Sequence, residues 1–140
     1  MKASQKENEK PTSAEVTTEI KAQVDSLYQV YERFDFDRIE FYAKDYTAIY
    51  PDSPVKQMKK DSLTAQWERI YDKYNVKLLN RGEATIIESQ DMAISYNSFN
   101  EIFINKETSD TIKNVGTYII AWKGQPDDTW KIVFETLHNN

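Results

Sequence analysis

One stretch limits what this chain can become. From Asn114 to His138 the sequence reads NVGTYIIAWKGQPDDTWKIVFETLH, in which Tyr118, Ile120 and Trp122 alternate before GQPDD and Trp130, Ile132 and Phe134 alternate after it. Alternation of aromatic and β-branched residues on both sides of a polar connection predicts two long strands closed into a hairpin. Gly124, Pro126 and the two aspartates supply the turn, because proline has no amide to give a ladder and glycine and aspartate tolerate unusual backbone angles.

A chain of 140 residues is expected to form one domain and can bury a real core. Eighteen basic against 23 acidic residues leave a net charge of −5, with the two signs interspersed, so no footprint for a phosphate backbone is present and nucleic acid is not an expected partner. The absence of cysteine excludes disulfides, thiolate metal sites and a cysteine nucleophile, and it suits either redox compartment. No apolar run approaches a membrane span and the first residues carry no signal-peptide core, so a soluble chain is expected.

Residues 1–13, MKASQKENEKPTS, hold no apolar residue spaced to anchor them and are expected to be a disordered polar tail before a single domain over 14–140. A tail of this kind also follows the processed anchor of exported lipoproteins, so a cytoplasmic protein and an exported or lipid-anchored one both fit. From Ala14 the spacing turns helical. Ile20, Val24, Leu27, Tyr28, Tyr31 and Phe34 form one stripe, with Thr12 or Ser13 as cap and Glu15 in the first turn. A short second helix, DRIEFYAK, is expected after Asp35 or Asp37, then a strand YTAIY over 46–50 that stops at PDSP. Asp61 is placed to cap a third helix presenting Leu63, Trp67, Ile70, Tyr71 and Tyr74. Two long segments follow, 75–88 and 92–105. In the second, Met92, Ile94 and Tyr96 alternate on one parity while Phe99 and Phe103 sit on the other, which a bulge near Asn97 or Ser98 would reconcile. Gly82 and Gly116, inside strand patterns, mark bulges or close backbone approach. Helices first and antiparallel strands after is an α+β order.

This order, with AKDYTAIYPDSP after the second helix and NVGTYIIAWKGQPDDTWKIV near the end, resembles the nuclear transport factor 2-like superfamily, and within it the SnoaL-like and ketosteroid-isomerase-like branch of small bacterial domains. The resemblance implies a cystatin-like α+β fold: a conical antiparallel sheet curled round the N-terminal helix, a pocket at the wide end, and homodimerisation through the outer sheet face. In ketosteroid isomerase one functional carboxylate stands just before the proline that ends the first strand, and a second, kept protonated, donates to the developing oxyanion. Laid on this sequence, those positions are Tyr50 and Tyr118. A phenol with an ordinary pKa of about 10 is a poor base at neutral pH, so the isomerase mechanism does not transfer.

Tyr50, Trp67, Tyr71, Tyr118, Trp122 and Trp130 are the candidate ligand-binding residues: their rings supply apolar area and their polar tips orient a ligand, although the same spacing describes ordinary core residues. His138, the only histidine, shares parity with Trp130 and Ile132 and is a weak catalytic candidate together with Asp45 and Glu135. One histidine and no cysteine predict no metal site, and the lack of a glycine-rich phosphate loop, GxSxG or HExxH leaves no cofactor to expect. Three readings stay open: a domain that binds a small apolar or carbonyl-bearing molecule, an isomerase, cyclase or dehydratase that moves a proton next to a carbonyl, and a structural homodimerisation domain. Under the first, replacing Tyr50 and Tyr118 by Phe is expected to weaken binding and leave stability nearly intact.

Overall fold

A computed structural model describes residues 11–32 and 36–140; Phe34, Asp35 and the tail through Lys10 lie outside the described residues. The chain runs α1 (Ser13–Glu32), a 3₁₀ turn (Phe36–Phe41), β1 (Tyr42–Ile49), β2 (Lys56–Lys59), α2 (Lys60–Lys73), β3 (Tyr74–Arg81), β4 (Thr85–Glu88), β5 (Met92–Asn105), β6 (Thr111–Gly124) and β7 (Trp130–Asn139). Seven strands make one curved, unclosed sheet in the order β2-β1-β7-β6-β5-β3, with β4 also on β5. The fold is α+β, with α1 packed on β4 and β5 and α2 packed on β1, β3 and the 3₁₀ turn. No helix among the described residues is long and apolar enough to cross a membrane.

Thr12 is the cap of α1: its Oγ accepts from the Glu15 amide at 3.1 Å and donates back to the Glu15 carboxylate at 3.1 Å. The stripe behind it, Val16, Ile20, Val24, Leu27, Tyr28 and Tyr31, is buried. The terminal hairpin forms as the pattern predicts, and Asp128 takes the left-handed conformation (φ 67°) in its turn.

Four local expectations are corrected. The second helix is only a 3₁₀ turn, and β1 begins at Tyr42 rather than Tyr46; Tyr42 and Tyr46, four apart, were in helical register, but both are buried on one strand face. A short strand, β2, precedes the next helix, whose N-cap is Lys59 without a side-chain cap bond, not Asp61. The sheet is antiparallel except that β1 lies parallel to β7; most of the chain separates the two, so no hairpin constrains their direction. The β5 register runs against β6 without a shift from Met92 to Ile104, so no bulge occurs at Asn97 or Ser98. Instead Ala93, Ser95, Asn97 and Phe99 point inward, and Met92, Ile94 and Tyr96 point outward. The reason is steric: α1 crosses close to β5, where small residues fit and large ones do not.

The parity switch lies on β7. Ala121 pairs with Phe134 and Trp122 with Ile132, so Val133 is the extra residue of a bulge. Before it Trp130 and Ile132 face the core; after it Glu135 does, at 3% exposure. Gly116 allows the end of β7 to lie close, because a Cβ there would overlap the His138 carbonyl.

Candidate functional site

Between α1, α2 and the wide half of the sheet lies a cavity of about 240 Å³. Its walls are mainly apolar, with Leu27, Ile70, Leu78, Phe99 and Phe103 on four different elements. Two clusters of polar side chains, buried or half-buried, stand on its walls.

The first is centred on Glu135. Oε1 accepts from the hydroxyls of Tyr42 and Tyr118, the latter at 2.7 Å, and Oε2 accepts from Tyr50 at 2.6 Å. β1, the residue just after it, and β6 thus deliver three phenols to one carboxylate on β7. Burial and the Glu135 charge together push the Tyr42, Tyr50 and Tyr118 phenols well above their ordinary pKa, so they act as donors at any physiological pH. Arg38, from the 3₁₀ turn, is 7% exposed. Burial by itself would lower its pKa, but the Glu135 charge opposes it and the guanidinium stays charged. Its plane covers Trp67 at 4.1 Å from the ring centre and Tyr31 at 4.9 Å.

The second cluster sits on β5 and β6. Glu101 accepts from the Tyr31 hydroxyl and, at 2.7 Å, from the Asn114 amide. Burial, then the neighbouring Glu101 charge, raises the Tyr31 phenol.

Of the residues singled out from sequence, Tyr50, Trp67, Tyr118 and Glu135 line this cavity. Tyr71 stands behind Trp67, with ring centres 5.4 Å apart. Trp122 and Trp130 are packed elsewhere: their indoles donate to Ser95 Oγ at 2.9 Å and to Glu19 at 2.7 Å, as core residues near the hairpin turn. His138 and Asp45 are exposed. The Val133 bulge is the cause for His138, since it transfers the inward parity from even to odd positions, and Asp45 faces outward on β1 opposite Lys59. Arg38, Glu101 and Asn114 were missed. Glu101 had a readable signal, an acid between Phe99 and Phe103 at matching parity; Arg38 had a weaker one, a lone cation among Phe36, Ile39 and Phe41. No group of three or more His, Asp or Glu positioned to hold a metal occurs among the described residues.

No family model matches the chain, and no curated protein matches it. Solved structures do. A nuclear transport factor 2-like superfamily protein from Salmonella enterica serovar Typhimurium LT2 superposes with a TM-score of 0.75 at 12% identity, covering 91% of this chain and 93% of that one. The chain has the nuclear transport factor 2-like fold. A ketosteroid isomerase-like protein from Erwinia carotovora atroseptica SCRI1043 shares this fold at TM-score 0.69 and 15% identity, over 88% of this chain and 95% of that one. So does a cystatin-like-fold protein of unknown function from Nostoc punctiforme PCC 73102, at TM-score 0.69 and 12% identity, over 94% and 96%. Within this nuclear transport factor 2-like cone, Glu135 and its phenols stand on the inner wall.

Two predictions follow from the cluster's chemistry. Contrary to the sequence-based expectation of near-neutrality, Tyr118→Phe is expected to destabilise the protein by about 1–3 kcal/mol in urea titrations, because it takes a donor from a buried carboxylate; an unchanged midpoint would show the bond to be dispensable. The second concerns alkaline pH. Seven phenols, those of Tyr28, Tyr31, Tyr42, Tyr46, Tyr50, Tyr71 and Tyr118, are raised by burial, so the folded chain holds protons that the unfolded chain releases near pH 10. This stabilisation is complete below about pH 10 and is lost as pH climbs towards the folded-state values. The urea midpoint should therefore hold steady up to about pH 10 and then fall, with the tyrosinate absorbance of these seven phenols appearing together with unfolding. Tyrosinate absorbance from more than two of the nine tyrosines developing in the folded protein near pH 10 would contradict it.

Proposed function

We propose that the domain binds a small, largely apolar molecule in the cone cavity. The observation that carries this reading is a hollow of about 240 Å³ whose walls are mainly apolar. An engineered cavity of about 150 Å³ is large enough to admit benzene, so the space here fits a larger body, such as a bicyclic one. Binding is favoured over proton transfer because both oxygens of Glu135 and both of Glu101 already accept hydrogen bonds. At Glu135 three of the roughly four acceptor sites of a carboxylate are already filled, which leaves little room for a substrate proton.

Titration with the uncharged fluorophore N-phenyl-1-naphthylamine tests the reading. Saturable enhancement is expected for the wild type and at least a tenfold weaker one for Leu78→Trp, which fills the cavity, with far-ultraviolet circular dichroism unchanged; Phe103→Trp is the alternative filler if the first variant does not fold. Equal affinity in the filled variant would place the probe elsewhere and defeat the proposal.

We also infer that the outer sheet face pairs two copies of the chain. Ile87 (58% exposed), Ile94 (40%) and Tyr96 (38%) adjoin on β4 and β5, an apolar surface of the kind that association covers. Sedimentation should give a dimer for the wild type and a monomer for Ile94→Glu. A monomeric wild type at concentrations of tens of micromolar would count against it.

A further inference from the structure

Of the two carboxylates on the cavity wall, one is compensated and one is not. Glu135 is 3% exposed, accepts from three phenols and has the Arg38 charge acting on it. Glu101 accepts one hydrogen bond on each oxygen, from Tyr31 and from the Asn114 amide at 2.7 Å, and both donors are neutral. None of the ion pairs among the described residues involves Glu101. A carboxylate has about four acceptor sites, so about two on Glu101 stay open.

Its place in the fold sets that carboxylate at the hollow. Glu101 has the inward parity of β5, between Phe99 and Phe103; Asn114 is its direct neighbour on β6, and Tyr31 reaches it from α1. All five residues line the cavity, and Glu101 is only half-buried, in contrast to Glu135.

Charge decides what such a group selects. Among the described residues Arg38 is the only cation lining the cavity, against the two carboxylates, so one negative charge is left over. A neutral apolar ligand that fills the hollow strips water from Glu101 and returns nothing to it. A carboxylate ligand would set a third anion beside the first two. An alcohol offers a single O–H and no charge. An ammonium fills the open acceptor sites with charge-assisted N–H bonds and brings the balance to zero, and the rings of Phe99 and Phe103 on either side of Glu101 suit a cation as well.

Resting on the ligand-binding reading above, we propose that the cavity ligand is an organic ammonium, a protonated primary or secondary amine on an apolar ring body, and that Glu101 is its counterion. Its N–H groups donate to the Glu101 carboxylate, and the ring lies against Leu78, Phe99 and Phe103.

Four naphthalenes of nearly one shape test this at neutral pH by displacement of N-phenyl-1-naphthylamine: 2-naphthylmethylamine, which is protonated there, 2-naphthylmethanol, 2-ethylnaphthalene and 2-naphthoate. The amine is expected to bind the wild type at least tenfold more tightly than each of the other three. Glu101→Gln, which keeps the shape of the side chain and removes its charge, should lower the amine's affinity at least tenfold and not lower that of the hydrocarbon; Glu101→Met serves if the first variant does not fold. Equal binding of the amine and the hydrocarbon, or of the amine and the alcohol, would overturn selection by charge and leave cavity binding standing, and so would tightest binding by the carboxylate. An amine preference that survives loss of the Glu101 charge would overturn the role given to Glu101. Failure of all four to displace the probe would overturn both readings together.

Discussion

The structure depends on a carboxylate in a place where carboxylates are costly. Glu135 is 3% exposed, and an ionised acid moved from water into an apolar interior needs several hydrogen bonds to be tolerated. Three phenols supply them, each from a different position in the chain: Tyr42 at the start of β1, Tyr50 just beyond its end, and Tyr118 on β6. These bonds cross the junctions β1–β7 and β6–β7, so the cluster ties the one parallel pair of the sheet to the terminal hairpin. Arg38 adds the compensating charge from the 3₁₀ turn, and the rings of Trp67 and Tyr31 cover it in place of solvent.

That cluster divides the cone. Towards the hairpin turn the inner face is filled by Ile120, Trp122 and Ile132, all at 0% exposure, against Val16 and Ile20 of α1. Beyond the Val133 bulge the inward residues of β7 become Glu135 and Leu137, which border the cavity. A single extra residue on one strand therefore separates a solid end from a hollow one. The small residues on β5 work to the same end, since Ala93 and Ser95 let α1 approach closely at the solid end, while Phe99 and Phe103 further along line the open end.

Periodicity made the helices, the terminal hairpin and the α+β order readable, because each rests on ten or more residues of one repeating pattern: the buried stripe of α1 and the paired alternation of β6 and β7 carry their own signal. The polar interior was less legible, for two physical reasons. A bulge shifts parity without a compositional mark, so His138, on the parity of Trp130 and Ile132, looked inward until the pairing of Ala121 with Phe134 was known. Small inward residues have no hydrophobic signature either: on β5 the large side chains Met92, Ile94 and Tyr96 dominate the pattern and face outward, because the space inside belongs to α1. Arg38 lies in six residues of 3₁₀ turn, too few for any period to show which way its side chain points.

The inner wall also explains why the resemblance to ketosteroid isomerase is one of shape and not of chemistry. That comparison sets carboxylates at the positions occupied here by Tyr50 and Tyr118, and in this chain both side chains are donors whose pKa burial drives further up. The acid has not vanished from the cavity; it stands on β7 as Glu135, and the two tyrosines point their hydroxyls at it. Donor and acceptor have exchanged places across the hollow. Each phenol has one proton to donate, and all three are engaged with that carboxylate.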